Sequence, residues 1–102
     1  CCLLVTTPST EEATSIAHCL VEERLVACAQ IVPAITSVYR WQGTVHSDPE
    51  VLLIMKTKSG NFEAVREKVV ELHSYEVPQI VAMPLTALHG PYQTWLEEQT
   101  VG

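Results

Sequence analysis

Apolar residues recur along this chain in two alternating periods. Cys2–Thr7 is a short, continuous, β-rich run closed by Pro8, and it predicts a central strand buried on both faces. Ser9-Thr10-Glu11-Glu12 reads as a capping box, in which Ser9 caps and Glu12 reaches back. Ala13, Ile16, Ala17, Leu20 and Val21 then recur at helical spacing and predict an amphipathic helix to about Arg24. Leu25 to Ile35 is β-rich again, with Pro33 implying a bulge or an edge. Thr36 to Trp41 alternates and ends at Gln42-Gly43, a hairpin-type turn. After Thr44-Val45-His46, the triplet Ser47-Asp48-Pro49 reads as a breaker, and Glu50 to Lys58 as a long returning strand. Asn61 to His73 predicts the second helix, with Phe62, Val65, Val69 and Leu72 on one face. Val77 to Thr86 predicts the fourth strand. Gly90-Pro91 opens a last short helix carrying Tyr92, Trp95 and Leu96.

The order strand, helix, strand, strand, helix, strand, helix is the split βαβ pattern. It predicts an α+β, ferredoxin-like single domain over residues 1–102, with an antiparallel sheet and a C-terminal helix. Two helices shield one face of such a sheet. Strands as uniformly apolar as Val51 to Met55 predict that the bare face meets another subunit. A closed assembly of such subunits around the Trp41-Gln42-Gly43 hairpin is expected to leave no free edge.

Composition narrows the function classes. Hydrophobic residues are 47% and charged residues 18% of 102, which points to a packed globule rather than a disordered chain. Six basic against twelve acidic residues give a net charge of -6. That balance disfavours nucleic acid and anionic membrane surfaces as partners and suits cations better. No apolar run is long enough to cross a bilayer, and the first residues do not read as a signal peptide. Cys19 in a helical pattern and Cys28 in a strand pattern suit buried thiols, so the expected compartment is the reducing cytoplasm.

The fold pattern alone settles no function. The loop Thr6-Thr7-Pro8-Ser9 carries no thiol, so a Cys-x-x-Cys metal carrier is excluded, and no Arg near the first strand supports an acylphosphatase-like site. Gly-rich phosphate loops, His-Glu-x-x-His helices and Gly-x-Ser-x-Gly elbows are missing. The segment His73-Ser74-Tyr75-Glu76-Val77-Pro78-Gln79 is the richest in chemistry. His73 and Glu76 are half a coordination sphere for a divalent ion, with Tyr75 adding a phenol. The competing reading makes His73 a cap on the helix C-terminus. Tyr39 and Trp41 share one strand face and suit packing, an interface or ligand stacking. Cys28 reads as a small buried hydrophobe, or as a functional thiol if a cation lies near it. Lys56 in an apolar strand needs a partner, for which Glu50 or a neighbouring subunit's carboxylate is expected. His18, His46 and His89 lie on separate elements and show no ligand spacing.

Taken in order, Val21–Ala29, Ile35–Gly43, Glu50–Thr57, His73–Pro78 and Tyr92–Leu96 resemble the CutA family of divalent-cation tolerance proteins over almost the whole chain. The resemblance implies a trimer of ferredoxin-like subunits, a link to copper and other divalent cations, and no established reaction. For animal relatives it implies an association with membrane anchoring of acetylcholinesterase. Ser74 stands where the family usually has Pro, and Gln79 where it often has Glu. Thr6 and Leu72 stand where some members carry a copper-linked Cys and a second His. Those departures lead to an expectation of weak metal binding, copper included, through a loop around His73. The competing classes are a PII-like, small-molecule-sensing trimer and a purely structural trimer. The PII-like reading requires a long mobile loop and basic phosphate-binding residues, neither of which the sequence displays.

Overall fold

In the computed structural model, which describes residues 1–102, the strands are β1 (Cys2–Thr7), β2 (Cys28–Trp41), β3 (Thr44–Lys56) and β4 (Ile80–Met83). The helices are α1 (Thr10–Glu22), α2 (Phe62–Leu72) and α3 (Gly90–Gln99), with a 3-10 turn at Ser59–Asn61 leading into α2. The strands form one antiparallel sheet in the order β2-β3-β1-β4, the split βαβ topology that the periodicity predicts.

Helices α1 and α2 cover one sheet face. Leu3, Val5, Val51, Leu53 and Met55 from the strands meet Ile16, Leu20, Val65 and Val69 from the helices in one buried cluster. The alternate residues Leu4, Leu52 and Ile54 point the other way and stay half-buried. On that second face of β1, Cys2 and Thr6 are buried while Leu4 between them is half-buried, and α1 and α2 do not reach it.

The bounds of three predicted strands shift, each for a local reason. β2 begins at Cys28 rather than Leu25, because Leu25 to Ala27 reverse the chain. Arg24 adopts φ 59° after α1, and the Leu25 and Val26 amides both donate to the Leu20 carbonyl. This left-handed helix ending normally suits Gly. Here Arg24 is tied down by its guanidinium, which donates to the Glu98 and Gln99 carbonyls at the end of α3.

The Ser47-Asp48-Pro49 triplet does not break β3. Pro49 pairs with Thr36, beyond Val51, the last β3 residue to pair with β1. At that level β3 is an edge, where a sheet tolerates Pro. β4 is only Ile80–Met83, because Pro78 and Pro84 bracket it. The capping box is half made: the Glu12 amide donates to Ser9 Oγ at 3.1 Å, but the Glu12 carboxylate bonds elsewhere.

The hairpin follows expectation. Gln42 and Gly43 have φ of 50° and 79°, the paired left-handed conformation of a tight two-residue turn. Pro33 and Ala34 form a bulge between the Val32 and Ile35 pairings, with Ala34 at φ 61°. The outer half of this hairpin extends past α1 and α2 and stretches the molecule to 45 Å along its longest axis.

Leu53 is fully buried between both helices. Leu53→Ala is expected to cost about 2–5 kcal/mol in urea unfolding. Ser9→Ala, which loses only the cap, is expected to cost about 1 kcal/mol.

Candidate functional site

The chain leaves α2 at His73, turns through Ser74–Gln79 and meets the base of the hairpin. His73 continues no helix; its backbone is extended (φ -80°, ψ 142°) and its side chain is directed inward. The ring is fully buried and both nitrogens are engaged. Nε2 lies 2.7 Å from the Thr6 carbonyl, and Nδ1 receives the Tyr75 amide at 3.0 Å. A carbonyl only accepts, so this network assigns the proton to Nε2 and the lone pair to Nδ1.

Glu12 completes the arrangement. Its Oε2 accepts the Ser74 amide at 3.0 Å and stands 3.3 Å from His73 Nδ1. Sequence reasoning treated Glu12 only as a capping residue. No local signal links positions 12 and 73; only the packing of α1 beside the end of α2 does.

On the outer side of the same loop, the Tyr75 hydroxyl donates to Glu50 Oε2 at 2.7 Å. The Tyr39 hydroxyl donates to Asp48 Oδ2 at 2.6 Å, and its ring stacks on His46 with centroids 5.4 Å apart. Burial and the Glu50 carboxylate raise the Tyr75 phenol well above its ordinary range. The hydrogen bond to Asp48 chiefly raises Tyr39. Both phenols are therefore neutral donors at physiological pH.

Tyr39, Trp41, Glu50, Tyr75 and Glu76 line one cavity of about 690 Å³, whose floor includes Thr6. The structure thus brings together most of the site residues singled out from sequence, with His73 behind the wall. The bulge at Pro33–Ala34 makes this possible. A regular strand would place the odd-numbered Tyr39 and Trp41 with Ala29 and Ile31, which pack toward the helices. One extra residue moves the two aromatics to the face of Glu50.

Cys28 and Lys56 are not part of this cavity. Lys56 Nζ bonds Gln30 Oε1 at 2.7 Å rather than Glu50, a correction to the expected ion pair. Gln30 is the diagonal cross-strand neighbour of Lys56 on the bare face, whereas Glu50 lies six residues away along the same strand and is held by Tyr75. Cys28 is half-buried, with its thiol 3.5 Å from the Tyr92 hydroxyl. Its contact with Cys28 and burial push Tyr92 up to about 12. Cys19 is also half-buried and donates to Glu23, so Cys2 is the buried thiol among four free cysteines. No three His, Cys, Asp or Glu side chains converge as a ready-made metal site.

With this geometry in place, the comparisons with known proteins are decisive. The profile of the CutA1 divalent ion tolerance protein matches residues 1–99. The chain belongs to the CutA1 divalent ion tolerance family. It is 51% identical over 98 residues to the divalent-cation tolerance protein CutA of Thermus thermophilus, covering 96% of this chain and 95% of that one. It is 44% identical to the chloroplastic CutA of Arabidopsis thaliana over 94% of this chain, but spans only 53% of that longer protein.

Solved structures agree on the fold. The Thermus thermophilus protein superposes with a TM-score of 0.96 at 50% identity, over 98% of this chain and 97% of that chain. CutA1 from Oryza sativa gives 0.95 at 39% identity, over 98% and 92%. The ferredoxin-like reading of the periodicity holds.

Two outcomes test the site's internal bonding. His73→Ala strands the Thr6 carbonyl and the Tyr75 amide, and is expected to cost about 1–3 kcal/mol in urea unfolding for each group left unpaired. Tyr75 should ionise above the ordinary phenol range in a spectrophotometric tyrosine titration, and Tyr75→Phe should remove that step. Because its folded value is raised, the stability Tyr75 contributes is intact below the ordinary phenol range of about 10 and is lost as pH climbs beyond it. The Phe variant should lose stability less steeply in that alkaline window.

Proposed function

We propose that this CutA-family chain is a non-enzymatic homotrimer of the cytoplasm that contributes to divalent-cation tolerance by binding such ions, copper among them, weakly and reversibly. The observation that carries the metal reading is the 3.3 Å approach of Glu12 Oε2 to the lone pair of His73 Nδ1. Imidazole nitrogen and carboxylate oxygen are a fitting donor pair for a divalent transition ion. Glu76, three residues along the same loop, is the further carboxylate.

The arrangement also accounts for low affinity. To admit an ion, His73 must release the Tyr75 amide and Glu12 the Ser74 amide. Both broken bonds subtract from the affinity gained. Thr6 offers a hydroxyl rather than a thiolate, and so lends no soft ligand to copper.

The bare sheet face supports the trimer. Leu4, Val32, Leu52, Ile54, Val81 and Met83 lie half-buried or exposed on it. Their joint area invites a second copy of the same surface, and strand pairing between subunits removes the open β2 and β4 edges. No helix is long and apolar enough to cross a membrane, and four free thiols fit a reducing compartment.

Sedimentation of the purified protein is expected to give about three times 11.3 kDa. Calorimetric titration with copper(II) and zinc should show weaker binding at about pH 5.5 than at about pH 7.5, since protons compete for imidazole. His73→Ala and Glu12→Gln should each remove most of the affinity. Unchanged binding in both variants would sink the His73 site and shift attention to Cys1 and the chain terminus.

A further inference from the structure

The cavity at the hairpin base has a lining that, Glu76 apart, the metal reading does not use. The rings of Tyr39, Trp41, His46 and Tyr75 surround it, with the carboxylates of Glu50 and Glu76 among them. None of the chain's six Lys and Arg residues lines it. A volume of about 690 Å³ falls in the range of small-molecule sites.

Its chemistry selects for charge and shape together. Aromatic faces carry negative potential and attract a cation placed over them, most strongly for Trp. Tyr39 and Tyr75 each donate their hydroxyl to a carboxylate, so both rings are held in place and directed by fixed partners. Glu50 accepts a single bond from Tyr75, and Glu76 has no ion-pair partner. Two negative charges thus stand beside aromatic walls with no cation of the protein's own to balance them. A hydrated metal ion gains little from such walls. An organic cation gains from the rings and the carboxylates at once.

We propose that the cavity between the hairpin base and the Ser74–Gln79 loop is a binding site for an organic ammonium ion. Trp41, Tyr39 and Tyr75 supply the aromatic faces, and Glu50 and Glu76 supply the countercharge. The His73–Glu12 pair does not line this cavity, and the two readings share only Glu76.

The test uses choline and its uncharged carbon isostere 3,3-dimethylbutan-1-ol, with the assembled full chain in the presence of EDTA. The chelator separates this reading from the metal reading. The N-methyl proton resonance of choline should shift upfield on binding, as aromatic ring currents require, and the isostere should bind at least tenfold more weakly. Trp41→Leu and Glu50→Gln should each weaken choline binding tenfold or more, with no change in copper affinity. Glu50→Gln keeps the shape of the site and an acceptor for Tyr75, so it reports on charge even if Trp41→Leu disturbs assembly. Equal binding of choline and its isostere, an unshifted resonance, or full affinity in Glu50→Gln would each overturn the proposal.

Discussion

Strand β1 has a ladder on each side, with β3 along one edge and β4 along the other, and its alternate side chains must serve two different faces. Leu3 and Val5 point into the helices and are fully buried, while Leu4 points away. Everything else in the molecule is arranged around that division. The helices α1 and α2 fill one side, the hairpin reaches past their ends, and the loop after α2 folds across the end of β1 to bond the Thr6 carbonyl through His73. Of the remaining elements, α3 meets the second face only at its Cys28 end, through Tyr92.

His73 shows how one residue joins three parts of such a sheet. Its Nε2 holds the end of β1, its Nδ1 holds the loop amide, and the nearby Glu12 carboxylate ties both to α1. The same ring is thus a structural fastener and the best placed nitrogen donor in the chain. Those two uses compete, since a lone pair given to a metal is withdrawn from the Tyr75 amide. Ser74 in the position preceding Tyr75 leaves the loop an amide to bond Glu12, which a Pro there cannot supply.

Much of this was legible in the sequence, and the reasons are local. The helices and β1 were readable because their apolar spacing matches their secondary structure, and the turn because Gln42-Gly43 can take the paired left-handed conformation. The loop residues His73, Tyr75 and Glu76 stood out because polar chemistry next to apolar strands is uncommon. What stayed hidden depends on contacts between distant positions. Glu12 reaches Ser74 only after α1 packs beside α2, Lys56 finds Gln30 only after β2 and β3 pair, and Pro49 is tolerated only because β1 stops short of it. The face presented by Tyr39 and Trp41 was also out of reach, since it depends on the geometry of a single bulge.

The hairpin is held unequally along its length. Near its base, β3 is laddered to β2 and β1 together, whereas from Glu50 outward it is laddered to β2 alone. A beam clamped at one end and free at the other concentrates bending where the clamp stops, and here the clamp stops at the wall of the aromatic cavity. A swing of the tip would therefore change the width of that cavity. The backbone amides of the outer rungs exchange with solvent by local fraying, while those of the inner rungs need the whole sheet to open. A partner gripping the far end of the hairpin would thereby act on the calibre of the cleft at its root.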